Sequence, residues 1–209
     1  MAVVVEGQNA VDHLSRMGLS VAPFHQALRA GYAESLTPSG FAPPGFANYL
    51  LDGWTAEALR RILCGRRDNP WTPDDTYNLR RVVEPTGEFG IIPSIGTATT
   101  GRSRSTPTTH NERGPATSRA VSENQLALDL ALRMTDDEPE PITWNFLYYV
   151  DEGERVIRSE LSLPRRIWRS RVRSWKPRIL LPELNLDGPA TLEDDQPAPD
   201  PIDVSVAWR

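Results

Sequence analysis

The nine residues Ile142 to Val150, reading ITWNFLYYV, hold three β-branched and four aromatic side chains and no charge, glycine or proline. Such a run suits a pleated, half-buried surface, so it predicts a strand. Asp151-Glu152-Gly153-Glu154 follows as a turn, and Arg155 to Leu163 returns with Val156, Ile157, Leu161 and Leu163 on its way. A hairpin over 142–163 is the anchor around which the rest of the chain has to be read.

Upstream the period changes to that of helices. Gln8 to Met17 and Val21 to Leu36 have helical apolar spacing, punctuated by Gly18 and Gly40. Thr55 is expected to cap a further helix over Ala56–Cys64, whose apolar face is Ala58, Leu59, Ile62 and Leu63. Arg60, Arg61, Arg66 and Arg67 mark its polar side and its end, where positive charge suits the helix dipole. A helix-turn-helix reader is disfavoured, because Pro43-Pro44-Gly45 interrupts the turn and no recognition helix stands out.

Leu79–Val83 and Phe89–Ile95 read as strands around the turn Glu84-Pro85-Thr86-Gly87. Thr97 to Gly114 is a Thr, Ser, Gly and Arg run without apolar periodicity, expected as a flexible loop. Pro115 then opens an inserted helix near 115–125. Leu126 to Leu132 alternates like a strand, but its Leu, Ala and Asp composition favours helix. Leu186 to Pro201 is rich in Pro and Asp, and Ile202, Val204, Val206 and Trp208 alternate as a terminal strand. These readings assemble into an α+β protein. A helical region over 1–67 precedes a mostly antiparallel sheet domain over 76–182, built on the hairpin plus a basic strand. An acidic Pro-rich tail over 183–209 ends in a strand at 202–208, able to pair with a neighbouring subunit.

Composition bounds the class. With 39% hydrophobic residues in 209, the chain can bury a real core. A single cysteine, Cys64, excludes an internal disulfide and a cysteine-rich zinc site. The opening Met1 to Glu6 lacks a basic n-region, and no apolar stretch approaches spanning length, so a soluble cytoplasmic protein without membrane association is expected.

The functional signal is electrostatic. In a chain of formal net charge −5, the segment Pro164 to Arg178 carries Arg165, Arg166, Arg169, Arg171, Arg173, Lys176 and Arg178 and no acid. Two-residue periodicity places Arg169, Arg171 and Arg173 side by side on one face of a strand. Trp168 and Trp175 bracket the row, as stacking platforms for bases or as core residues. Of 23 basic residues only Lys176 is lysine, so arginine usage is partly a habit of the whole chain. A solvated edge, or the chain's own acids at Glu183, Asp187, Glu193, Asp194, Asp195, Asp200 and Asp203, would also account for the row.

An external partner would be a polyanion. Arginine forks fit phosphate, and neutralising several phosphates gives strong, salt-sensitive binding. The leading expectation is a nucleic-acid-associated protein, DNA or RNA, that contacts phosphates through Arg169, Arg171 and Arg173. Arg165, Arg166 and Arg178 would extend the patch, Trp175 would stack, and Arg102 and Arg104 would make the loop a phosphate clamp. The acidic tail would compete for the same surface. The alternative is an assembly or adaptor protein that meets an acidic protein surface or pairs through its terminal strand.

Reaction signatures are weak. Gly96 to Ser103 has phosphate-loop spacing, but Arg102 stands where that motif needs lysine and no helix clearly follows. Asp74, Asp75, Glu84 and Glu88 would suit a Mg²⁺-dependent nuclease, or simply cap turns. His13, His25 and His110 are scattered, Cys64 ends an apolar helix face, and no Gly-x-Ser-x-Gly elbow is present. No cofactor or metal is called for.

Overall fold

The computed structural model describes residues 3–111, 121, 124, 141–168 and 170–188, with Tyr77 described by its backbone alone. Among them the order is β1 (Val4–Val5), α1 (Gln8–Arg16), α2 (Ala22–Ser35), α3 (Phe46–Cys64), β2 (Thr72–Asp74), β3 (Arg81–Val83), β4 (Phe89–Ile95), β5 (Ile142–Asp151), β6 (Val156–Trp168), β7 (Arg171–Leu180) and β8 (Leu184–Asn185). The strands form one mixed sheet in the order β1-β7-β6-β5-β4-β3-β2, and β8 lies along β6 beyond the end of β7. The expected terminal strand at 202–208 lies outside the described residues.

The α+β class holds, but the sheet is mixed. β4 runs parallel to β5, and β1 parallel to β7, while the other neighbours are antiparallel. Two adjacent parallel strands need a crossover of a dozen residues or more. The presumed loop and inserted helix between β4 and β5 are that crossover. Within 115–125 the structure describes Val121 and Asn124, and both are helical.

Helix α3 begins well before the expected Ala56. Gly45, at φ 82, turns the chain after Pro43-Pro44, and the helix runs on through Gly53. Thr55 is not its cap but a buried residue of its interior, where α2 crosses closely. A Cβ on Gly31 of α2 would come within 2.1 Å of the Thr55 hydroxyl, so glycine is what permits this approach. The early turns escaped the periodicity because Phe46, Tyr49 and Trp54 are apolar yet exposed.

Strand alternation gives the sheet two unlike faces. One carries Ile91, Phe146, Tyr148, Ile157, Leu161 and Ile179, which pack with Leu14, Phe24, Leu28, Leu59 and Leu63 of the helices in a single apolar cluster. The other buries Ser94, Thr143, Asn145, Arg158, Glu160, Ser162 and Arg178. Residues 97–111, Val121 and Asn124 of the crossover lie over it as a strap.

The strap is tied by buried polar groups. Arg178 donates from Nε to Glu160 Oε1 (2.9 Å) and from Nη2 to Oε2 (2.5 Å), with the two side chains 1% and 0% exposed. The same guanidinium donates to the carbonyls of Ser105 (2.6 Å) and Arg102 (3.2 Å), while the Gly101 amide donates to Glu160 Oε2 (2.9 Å). Trp175 Nε1 donates to the Pro107 carbonyl at 2.8 Å. Further along, Asn124 and Thr143 exchange side-chain to backbone bonds of 2.8 and 2.7 Å. Through residue 111, then, the segment expected to be a flexible loop is fastened to the sheet.

Arg178→Met should lower the unfolding free energy by about 3–5 kcal/mol, because it leaves the Glu160 carboxylate buried without its counterion. Arg178→Met combined with Glu160→Leu should recover part of this in urea titrations, the remaining loss coming from the orphaned Gly101 amide and strap carbonyls. A single variant as stable as wild type would show that the pair does not hold the strap.

Candidate nucleic-acid interface

The basic segment folds into a hairpin end. β5 accompanies β6 only from Val156 to Ser162, where Ser162 faces Asn145. Beyond that point β6 is paired with β7 alone, through Pro164–Trp175, Arg166–Ser174, Ile167–Val172 and Trp168–Arg171. A two-stranded ribbon over 164–175 results. Its turn contains Ser170 at φ 59, a left-handed conformation that Ser rarely signals in sequence.

This turn corrects the expected row. Trp168 and Trp175 lie on opposite strands, and Arg169 lies outside the described residues. Arg171 and Arg173 alternate with the fully buried Val172 and share the opposite face. The register shifts between Ser162 and Ile167, so Arg165 and Arg166 are both exposed although adjacent in sequence.

The ribbon's inner face is apolar. Ile167, Val172 and Trp175 pack there with Leu147 and Val121. On the outer face the Arg173 guanidinium lies 4.7 Å from the centroid of the Trp168 ring, a cation–π contact. Lys176 extends the exposed basic surface. Trp175 and Arg178 do not: at 2% and 1% exposure they belong to the interior and the strap, which removes them from the expected patch. Arg102 stands by the β5–β6 turn, at the far end of β6 from Trp168, and donates to Glu154 at 3.2 Å. Arg104 is exposed on the strap.

Elsewhere many arginines meet a carboxylate, although Arg16, Arg29, Arg66, Arg67 and Arg104 have none among the described residues. Arg60 pairs with Asp75 (2.6 Å), Arg81 with Asp74 (2.5 Å), Arg155 with Asp187 (2.8 Å) and Arg158 with Asp151 (2.6 Å) and Glu154 (2.7 Å). Arg166, Arg171, Arg173 and Lys176 have no carboxylate partner among the described residues. Of the acidic tail, Asp187 reaches Arg155 near the β5–β6 turn and not the ribbon; the tail beyond Gly188 lies outside the described residues.

The other sequence candidates have structural partners. The Gly96–Ser103 loop is followed by turns and not a helix, and its Gly101 amide already meets Glu160. Asp74 accepts from Arg81 and from the Thr76 amide, and Glu84 accepts from the Thr86 amide and hydroxyl and the Glu88 amide. No group of three His, Cys, Asp or Glu side chains able to hold a metal occurs among the described residues. Burial pushes the Cys64 thiol up, against a smaller opposing pull from Arg60.

Two features lay beyond sequence reasoning. A cleft of about 380 Å³ is lined by Gly53, Ala56, Glu57, Arg60, Arg61, Cys64, Pro73 and Arg80, but its arginines are paired with Asp75, Glu57 and Asp52. Around the α2–α3 connection, Leu36, Phe41, Phe46, Tyr49 and Trp54 are exposed, Phe41 at 99%. No described helix is long and apolar enough to cross a membrane. No family model, curated protein or solved structure matches the chain.

The carboxylates near β2 and β3 carry a pH dependence. Burial alone would raise Asp74 and Glu84, but it is outweighed, for Asp74 by donations from Thr76 and Arg81 and for Glu84 by those from Thr86 and Glu88; both lie below the ordinary carboxylate range. Their stabilisation is present in full above the unfolded value of about 4 and is lost as pH falls through the folded one. Asp74→Asn and Glu84→Gln should each flatten the acid limb of stability against pH, measured by urea midpoints from neutral pH downwards. An unchanged limb in both would assign acid sensitivity to other groups.

Proposed function

We propose that this protein binds nucleic acid, contacting phosphates through the outer face of the β6–β7 ribbon. The observation that supports this reading is the group Arg166, Arg171, Arg173 and Lys176. These cations share one exposed ribbon end without a carboxylate partner among the described residues, in a chain that is acidic overall. Arginine's planar fork matches phosphate oxygens in pairs. Each phosphate neutralised releases condensed counterions, so affinity rests on ionic strength. The apolar inner face holds the ribbon on the protein body, which leaves the cations presented on a supported surface.

Fluorescence anisotropy with labelled oligonucleotides across a salt series tests the reading. With four phosphate contacts, log K should fall against log salt with a slope of about −3.6 on duplex DNA and about −2.8 on single strands. Arg166→Glu/Arg171→Glu/Arg173→Glu should abolish binding while leaving the fold intact, since none of these side chains is in the core. Arg102→Glu, at the far end of β6, serves as the control for a charge reversal away from the ribbon and should retain most of the affinity. Failure of the wild type to bind at low salt would overturn the proposal.

A second reading, assembly between copies of the chain, is favoured by the exposed Leu36, Phe41, Phe46, Tyr49 and Trp54. Exposed apolar side chains gathered in one region mark association surfaces. Light scattering should then give a mass that rises with concentration, and Phe41→Ser/Tyr49→Ser should return it to the monomer. A monomeric mass at every concentration would exclude this reading.

A further inference from the structure

Resting on the nucleic-acid reading, we infer that the ligand of the ribbon is B-form duplex DNA, met by insertion of the ribbon's outer face into the major groove. The width of the element is the first observation. From Pro164 to Trp175 the ribbon has two strands only: β5 pairing stops at Ser162, β1 touches β7 only at Arg178 and Ile179, and the β7 edge there meets no described strand but the strap's Thr109 hydroxyl, which accepts from the Val172 amide at 3.4 Å. Two strands lie about 4.8 Å apart, and with side chains they match a major groove about 12 Å wide. A third strand alongside would not enter.

The second observation is the difference between the two faces. Val172 and Trp175 are buried at 0% and 2% exposure against Leu147 and Val121, so one face is seated on the protein. The opposite face presents Trp168, Arg171 and Arg173. An element supported from behind and polar in front is suited to face-on entry into a groove.

The third observation bears on single strands. Their sequence-tolerant recognition depends on aromatic faces open to unstacked bases. Here Trp175 is buried with its indole N–H on the Pro107 carbonyl, and the Trp168 ring carries the Arg173 guanidinium at 4.7 Å. Trp175 is closed to bases, and Trp168, 52% exposed, has one ring face taken, so no row of open aromatic platforms is present among the described residues of the segment. What remains on the outer face are forks, which pair with phosphate oxygens and with the O6 and N7 acceptors of guanine in the major groove. Arg173, steadied by Trp168, is the fork in the middle of that face; Arg166 and Lys176 flank it. Duplex RNA has a deep, narrow major groove that side chains do not read.

The test varies the probe and leaves the protein whole. Wild type is titrated with one sequence, about two helical turns long, as DNA duplex, RNA duplex and DNA single strand, and with a DNA duplex carrying 7-deazaguanine, which lacks the N7 acceptor. The DNA duplex should bind at least about tenfold more tightly than the other two forms, a threshold set well below the roughly thousandfold or more by which specific sites exceed non-specific ones. Removing N7 leaves O6 and takes one limb of the fork contact, which should weaken binding roughly ten- to a hundredfold, the worth of one hydrogen bond to a charged group. Arg173→Ala, which has no donor to offer N7, should bind the normal and deaza duplexes alike. Equal or tighter binding of the single strand or the RNA duplex would overturn the duplex inference while the phosphate-binding reading stands. Indifference of the wild type to 7-deazaguanine would overturn major-groove entry. Absence of binding to all four probes would overturn both.

Discussion

A guanidinium and a carboxylate that are both shut away from water must meet each other, and in this protein that meeting is Arg178 with Glu160. The effective penalty for burying either ion alone is several kcal/mol, so the seating of β6 against β7 is strongly weakened with the partner missing. Both strands are committed through it, and so is the crossover between β4 and β5. Arg178 holds the carbonyls of Arg102 and Ser105, and Glu160 receives the Gly101 amide. Gly101 sits at φ 71, where a Cβ would come within 2.9 Å of the Arg158 side chain, so the strap's approach is tailored to a residue without one.

The two-faced sheet follows from that constraint. Its helix face is held by ordinary apolar packing, which tolerates exchange of one side chain for another of similar volume. Its strap face is held by directional bonds among Asn145, Ser94, Thr143, Asn124, Glu160 and Arg178, which specify one arrangement. The ribbon is the continuation of β6 and β7 past the end of this buried network. There Arg166, Arg171, Arg173 and Lys176 lie without a carboxylate partner among the described residues.

Much of the scaffold was legible along the chain. Ile142–Asp151 and Phe89–Ile95 were readable because β-branched and aromatic side chains cluster without helix formers between them. Gln8–Arg16 and Ala22–Ser35 were readable because their buried residues recur at helical spacing. The parallel pairing of β4 with β5 was not, since strand propensity carries no direction. Residues 97–111 looked like a loop because their partners, Glu160, Trp175 and Arg178, lie far along the chain, and a Ser/Thr/Gly run shows no sign of the bonds it will make. The start of α3 was missed because Phe46, Tyr49 and Trp54 face outward and blur the amphipathic pattern.

For the candidate site the same division holds within a dozen residues. Composition alone determined that Pro164–Arg178 is a basic block without acids, because charge is a property of each residue and needs no partner to be counted. Which of these charges faces outward was a matter for tertiary structure. The turn at Ser170 reversed the strand in the middle of the presumed row, and Glu160 drew Arg178 inside. Pro107 and Val121 did the same for Trp175, and Arg173 came to rest on Trp168. Burial and pairing are relations between residues distant in sequence, and only the folded chain brings them within reach of each other.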